Sequence, residues 1–175
     1  MPVPIVPVLV LLGTLFGAAA RKRLTKKKLA PAAAIMNEAP WRQRVLAAAR
    51  AELGKDDPNP YAVEALGYRP TEDYEWCGLF ALAILHWAGL AKDWLWELEK
   101  GFLYRLPTTT TPQPGDLFYI DAENHHGIVE EVQPDGRIVT LNGNSTDGKV
   151  ARVVRDPSEI RAFYSITPLI SKAST

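Results

Sequence analysis

The chain has a single cysteine and no excess of charge of either sign. Its 175 residues include one cysteine, which excludes an internal disulfide, so the redox compartment cannot be read from the sequence. The 20 basic and 20 acidic residues cancel, and this balance gives no reason to expect nucleic acid as a partner. Hydrophobic residues make up 47% of the chain, enough for one globular domain of ordinary size to bury a core.

The first 20 residues are almost wholly apolar, and six basic residues follow between Arg21 and Lys28. A spanning helix needs about 20 apolar residues, and positive charges tend to stay on the cytoplasmic side of a membrane. We therefore predict a membrane-interacting segment at 1–20. A signal peptide that ends in Ala18-Ala19-Ala20 is a less favoured interpretation, because no basic region precedes the apolar stretch. A buried helix in an assembly is the third.

The rest of the chain is predicted to form one domain. A basic, Ala-rich linker is expected at 21–38, a catalytic domain at 39–170 and a short tail at 171–175. Helical spacing or capping signals predict helices from Pro40 to about Leu53, near 61–66, from Cys77 to Trp87 and at 92–100.

After a turn-rich connection at 108–114, the hydrophobic period changes to that of strands. Five segments show it: 116–120, 126–132, 137–141, 150–155 and 162–167. Between the second and third, Gln133-Pro134-Asp135-Gly136 predicts a hairpin turn. Helices followed by a meandering antiparallel sheet of about five strands predict an α+β fold.

The single cysteine, Cys77, opens the most apolar of the predicted helices. A helix N-terminus favours negative charge, which would lower the thiol pKa, and its free backbone N–H groups can hold an oxyanion. Gly78 leaves room beside the sulfur for a substrate carbonyl. These features suit a nucleophile. The alternative is that Cys77 is a small buried hydrophobic residue, which is common for a lone cysteine.

Two adjacent histidines begin the second predicted strand. A nucleophilic thiol needs a base, and because side chains alternate along a strand, only one of His125 and His126 can face Cys77. A third group must orient that imidazole, and Asn142 on the next strand is placed for this, with Asn144 close behind. The alternative for the two asparagines is turn chemistry.

A metal site is a weaker interpretation of the same region. Asp121 and Glu123 precede the two histidines and carry oxygen atoms that metals bind. The spacings of known metal-binding motifs are absent, and polar residues are common where a strand begins. We therefore expect no metal and no other cofactor.

Four short motifs follow one another along the chain. They are Trp76-Cys77-Gly78-Leu79-Phe80, Pro114-Gly115-Asp116-Leu117, His125-His126-Gly127-Ile128-Val129 and Thr140-Leu141-Asn142-Gly143-Asn144. Together, over about residues 40–167, they resemble the CHAP domain, a group within the NlpC/P60 (papain-like) class of cysteine peptidases and amidases. The resemblance implies that class's fold, with N-terminal helices packed on an antiparallel sheet.

The resemblance also implies roles for individual residues. Cys77 matches the nucleophile and His125 the catalytic histidine, whereas Asn142 stands where many members have the glutamate that orients the histidine. Supporting or substrate-contacting roles fall to four further residues: Trp76, Gly78, His126 and Asn144. Asparagine orients the histidine elsewhere in the papain-like class, but its presence here leaves the third role open.

The implied activity is hydrolysis of an amide bond in bacterial peptidoglycan, as an amidase or an endopeptidase, through a thiolate and an acyl-enzyme. Two alternatives stay open. One is a catalytically silent structural or membrane-assembly protein on the same fold, which the replacement of glutamate by Asn142 favours. The other is a different thiol enzyme of the class, such as an acyltransferase or a deamidating toxin.

The N-terminal segment bears on location and partners. If its basic residues keep the domain in the cytoplasm, the domain lies on the wrong side of the membrane for peptidoglycan. A lysin carried in a phage particle removes the conflict, because it meets the wall from outside. We therefore expect peptidoglycan as substrate and, through residues 1–28, a membrane or phage virion proteins as partners. Membrane or virion association is expected rather than export by a signal peptide.

Overall fold

A computed structural model of the protein describes residues 32–97 and 101–175, with side chains from Glu38 onward. These residues belong to one compact unit of the chain, residues 31–175. In this described part, no helix has both the length and the apolar character that crossing a membrane requires. The membrane-interacting segment at 1–20 and the basic stretch up to residue 31 lie outside the described residues and stay predictions.

Three helices come first in the described part and strands follow, as predicted, and a fourth helix comes after the last strand. The helices are α1 (Ala32–Ala51), α2 (Asn59–Leu66), α3 (Cys77–Trp87) and α4 (Thr167–Ala173). The strands are β1 (Thr108–Thr109), β2 (Leu117–Ile120), β3 (His125–Val132), β4 (Ile138–Asn142), β5 (Ala151–Arg155) and β6 (Ala162–Tyr164).

The strands form one antiparallel sheet in the order β1-β6-β2-β3-β4-β5. This confirms the α+β prediction and the hairpin at 133–136, where Gly136 takes a φ of 89° and its N–H bonds the carbonyl of Gln133. The sixth strand, β1, lies where only turns were expected. It pairs with β6, more than 50 residues away, so no local pattern could indicate it.

Helix α3 is the centre of the core. It is buried from Cys77 to His86, because its apolar residues cover its whole circumference. It packs against α1, α2, β3 and β4. One face of the sheet, called the helix face here, therefore looks toward α3 and carries Leu117, Tyr119 and Ile128. The opposite or outer face carries a smaller apolar cluster: Phe118, Ile120, Val129, Ile138 and Ile160.

Helix α1 begins earlier than the sequence predicts. It starts at Ala32, inside the stretch expected to be linker, and Pro40 lies within it rather than in its first turn. Contacts of Glu38 hold the turn before the proline, because its carboxylate accepts hydrogen bonds from Arg42 Nη2 at 3.0 Å and Thr167 Oγ1 at 2.9 Å. The contact with Arg42 lies within the helix and that with Thr167 joins it to the far end of the chain, and together they offset the backbone bond that a proline removes. At the other end of the chain, α4 runs into the expected tail at 171–175.

The Trp-rich segment predicted as a helix at 92–100 is not helical over its described part, 92–97. It crosses beside α2, and the N–H of Trp96 bonds the carbonyl of Ala65 at 2.9 Å. The two tryptophans pack onto the main core and contact the ring of Phe102, at 6.3 Å from Trp94 and 5.7 Å from Trp96. Aromatic packing rather than helical periodicity thus fixes this segment, and it brings Trp96 to the N-terminus of α3.

Candidate active site

The thiol of Cys77 lies at the first residue of α3, and the residue is 4% exposed. The first backbone bond across this end joins the N–H of Phe80 to the carbonyl of Trp76 at 2.8 Å. The N–H groups of the three residues before Phe80 are therefore not used by the helix ladder. They make this end of α3 a donor site for a developing negative charge.

The imidazole beside the thiol belongs to His126. Its Nδ1 atom lies 3.8 Å from Cys77 Sγ, which is also 3.9 Å from the carbonyl oxygen of Asn124. The sequence-based pairing of Cys77 with His125 therefore differs from what the structure shows. The reason is strand alternation: His126 shares the helix face with Tyr119, its partner across β2 and β3, whereas His125 points to the outer face.

His125 pairs with Asn142 on that outer face. The His125 Nε2 atom lies 3.0 Å from Asn142 Oδ1, and both residues are buried. The amide of Asn142 donates to Thr140 Oγ1 at 2.9 Å and to the carbonyl of Ala151 at 3.4 Å, so its oxygen is left to accept. The proton of His125 is thus on Nε2. The expected contact between these two residues is present, but behind the sheet rather than beside the thiol.

Burial keeps both members of the Cys77–His126 pair neutral. It lowers the pKa of His126 to about 4, with a smaller contribution from the neighbouring His125. Burial also raises the pKa of the Cys77 thiol. Backbone N–H groups near the sulfur oppose that rise, and the charge of Glu75 adds to it. At neutral pH the resting state is therefore a thiol next to an uncharged imidazole.

The thiol opens into a cleft of about 320 Å³, at the small end of the range for ligand pockets. Aromatic rings form much of its wall, and one carboxylate, Glu75, stands in it. The lining residues are Glu75, Cys77, Gly78, Trp96, Gly101, Leu103, Tyr104, Tyr119, Asn124, His126 and Tyr164. In the described part of the chain, no group of three His, Cys, Asp or Glu side chains is placed to hold a metal ion.

Residues 69–144 match the family model of the CHAP domain. This match is consistent with a CHAP domain of the cysteine peptidase-like kind. The matched range contains Cys77, both histidines and Asn142, which confirms the resemblance stated from the motifs. CHAP domains are typically hydrolases that act on peptidoglycan. No curated protein and no solved structure matches the chain.

Of the residues expected to support the site, Trp76 lies in the core, whereas Gly78 and Asn144 lie at the cleft. Trp76 is buried and stacks on Tyr61 with ring centroids 5.3 Å apart, so it contributes to the core. Gly78 lines the cleft, and a Cβ there would lie 2.1 Å from Trp96 Cη2, so the tryptophan ring occupies the space that glycine leaves. Asn144 donates a hydrogen bond to the carboxylate of Glu75 at the cleft.

Sequence reasoning missed several residues of the cleft. Glu75 lies two residues before the cysteine in the sequence, and its charge was the available signal. Tyr119 alternates onto the helix face of β2, which its strand period could have indicated. Trp96 and Tyr104 reach the site through tertiary packing, and nothing local to them connects them with Cys77.

Proposed function

We propose that this CHAP domain hydrolyses an amide bond in the peptide part of bacterial peptidoglycan, with Cys77 as nucleophile and His126 as base. The observation that carries the proposal is the 3.8 Å approach of Cys77 Sγ and His126 Nδ1 at a helix N-terminus that opens into a cleft. A thiol, a base within reach and free N–H donors are the three parts that acyl transfer needs. The family match supports peptidoglycan as the substrate.

In the proposed first half-reaction, His126 Nδ1 takes the thiol proton while Sγ attacks the carbonyl carbon. The N–H groups at the start of α3 stabilise the oxyanion of the tetrahedral intermediate. The C–N bond then breaks, the imidazolium of His126 gives its proton to the leaving amine, and a thioester remains on Cys77. In the second half-reaction, His126 deprotonates a water molecule that attacks the thioester, which releases a carboxylic acid and restores the thiol.

The neutral resting pair favours proton transfer during attack over a preformed ion pair. Burial disfavours both the thiolate and the imidazolium in the empty site. When substrate is bound, the sulfur can bond to the carbonyl carbon as it loses its proton, and the oxyanion that forms balances the charge of the imidazolium. His125 and Asn142 then have a positioning role. Their buried hydrogen bond holds the start of β3, from which His126 projects to the opposite face.

Peptidoglycan digestion by the full chain tests the proposal, with new amino groups and released peptides identified by mass spectrometry. The matched variants are Cys77→Ala, His126→Gln and His125→Gln. We expect no products from the first and about 10²- to 10⁴-fold slower product formation from the second, the usual worth of a general base. His125→Gln should retain far more activity than His126→Gln, in samples shown to be folded by circular dichroism.

Two results would contradict this assignment. Greater loss in His125→Gln than in His126→Gln would move the base to His125, as the motif alignment implies. No products from the parent protein on walls of several bacterial types would favour the second candidate, a catalytically silent CHAP domain. The raised pKa of Cys77 together with the lowered pKa of His126 is the observation that favours this second candidate.

We also propose that the protein is a virion-associated phage lysin held by residues 1–28. The apolar stretch 1–20 and the six basic residues that follow it support this location, because a particle-borne enzyme reaches the wall from outside. Antibody detection in purified phage particles tests it. Recovery from host membranes together with absence from particles would refute it.

A further inference from the structure

The wall of the cleft carries a negative charge at Glu75. Glu75 is an exposed residue two positions before Cys77, and the described residues that line the cleft include no lysine and no arginine. Within residues 32–97 and 101–175, the one polar contact that the structure gives the carboxylate is the hydrogen bond from Asn144 Nδ2. The electrostatic potential of the cleft therefore favours the binding of a cation and disfavours the binding of an anion.

Asn144 fixes this carboxylate in place. It lies just after β4 and adopts a left-handed backbone conformation with a φ of 49°. Its neighbour Gly143 passes so close to α3 that a Cβ there would lie 2.4 Å from Phe80 Cβ. The loop that carries Asn144 is thus packed tightly on the helix that carries Cys77. A charged side chain held by a rigid neighbour is preorganised for binding.

The position of Glu75 is unfavourable for the chemistry of the empty site. Its negative charge opposes thiolate formation at Cys77, a cost that a neutral residue would not impose. A bound cation would cancel this effect, because it neutralises the carboxylate while the thiol loses its proton. Glu75 can therefore contribute to binding and to the selection of a charged substrate in one step.

The surrounding rings suit an organic cation. Tyr104, Tyr119, Tyr164 and Trp96 line the same cleft, and aromatic faces attract ammonium groups and pack against aliphatic chains. From the carboxylate, its fixed position and this aromatic wall, we infer that Glu75 binds a primary ammonium group of the substrate next to the bond that Cys77 attacks. The inference rests on the proposed function, because it assigns a specificity to the same site.

In a peptidoglycan stem, a primary amine comes either from a diamino-acid side chain or from a free peptide N-terminus. Three synthetic lysine-containing stem peptides separate these sources: one with both amines free, one acetylated at the side chain and one acetylated at the N-terminus. We expect one of the two acetylations to lower kcat/KM of the parent protein about tenfold or more, the usual worth of a charge-assisted hydrogen bond. The acetylated position that causes the loss identifies the source.

The Glu75→Gln variant should remove this preference. Its kcat/KM for the free peptide should fall to about the value for the sensitive acetylated peptide, so that acetylation no longer matters. Glu72→Gln is the matched control, because Glu72 is an exposed carboxylate three residues earlier that does not line the cleft. If Glu75 only stabilises the N-terminus of α3, kcat/KM of the variant falls equally for the free peptide and for the sensitive acetylated peptide. The preference for the free peptide then persists, which overturns the inference.

Failure of the inference and failure of the proposed function give different results. Equal hydrolysis of all three peptides by the parent protein leaves the function standing and overturns the role of Glu75. Hydrolysis of none of them overturns the function, and calorimetry then decides the inference. Tighter binding of the free peptide than of the acetylated ones to Cys77→Ala supports the ammonium site, whereas equal or no binding overturns it.

Discussion

The lowered pKa of His126 makes the stability of the protein depend on pH in a way that one substitution should remove. The pKa of histidine is ordinarily 6.5, and burial in the folded protein lowers that of His126 to about 4. A difference of about 2.5 pKa units corresponds to about 3 kcal/mol. Because the residue retains some solvent exposure, we expect about 2 kcal/mol.

The direction follows from proton binding. Between pH 4 and 6.5 the unfolded chain binds a proton at this residue while the folded protein does not, so the free energy of unfolding rises with pH. The stability that His126 gains by being neutral is thus fully present above about pH 6.5 and is lost as the pH falls toward 4. The buried His125, whose pKa is also lowered, acts in the same direction.

Denaturant unfolding of the parent protein and of His126→Gln, at pH values from 4 to 8, measures this contribution. Glutamine does not titrate, so the difference in unfolding free energy between the two proteins reports His126 together with its smaller electrostatic coupling to His125. We expect the parent protein to lose about 2 kcal/mol more than the variant between pH 7.5 and 4. A difference that does not change with pH would refute the buried, neutral imidazole.

Two further predictions concern the packing of Gly78 at the cleft and the buried ion pair between Arg42 on α1 and Asp116, just before β2. In Gly78→Ala the new Cβ would lie 2.1 Å from Trp96 Cη2, so the ring must move. We expect a loss of about 1–3 kcal/mol in denaturant unfolding, a change in tryptophan fluorescence and slower peptidoglycan hydrolysis. Asp116→Ala removes the carboxylate that Arg42 contacts at 2.8 Å, with the two side chains 1% and 7% exposed, and should cost about 3–5 kcal/mol by the same unfolding assay. An unshifted tryptophan signal in the first variant, or a loss below about 1 kcal/mol in the second, would contradict these contacts.

The sequence predicts those elements whose signal is local. Helix α3 follows from an uninterrupted apolar run that ends shortly before Gly89, and the hairpin follows from the turn residues at 133–136. The start of α1 does not, because Glu38 is held by Arg42 and Thr167, and the latter is 129 residues away. The short strand β1 pairs with β6, and the backbone of Trp96 bonds that of Ala65, so both depend in the same way on distant partners.

For the candidate site, the sequence predicts the nucleophile position and the two histidines but assigns the nearer imidazole to His125. Alternation requires that one of them face the thiol, yet the choice depends on which face of β3 receives α3. The two faces look alike in the sequence, because both carry apolar residues: Leu117 and Ile128 on the helix face, Phe118 and Val129 on the outer face. A strand buried on both faces carries no polar side to show its orientation.

Asn142 lies on the outer face, and no other residue in the described part of the chain gives His126 the orienting hydrogen bond that a triad has. Packing takes that role here. The imidazole lies between the rings of Tyr119, at 5.0 Å, and Trp96, at 5.5 Å, and Tyr119 donates from its hydroxyl to Asn124 Oδ1 at 3.1 Å. The carbonyl of the same asparagine lies 3.9 Å from the thiol sulfur. One aromatic side chain thus positions both the imidazole and the loop beside the thiol. The geometry of the Cys77–His126 pair depends on ring packing across β2 and β3 rather than on a third polar residue.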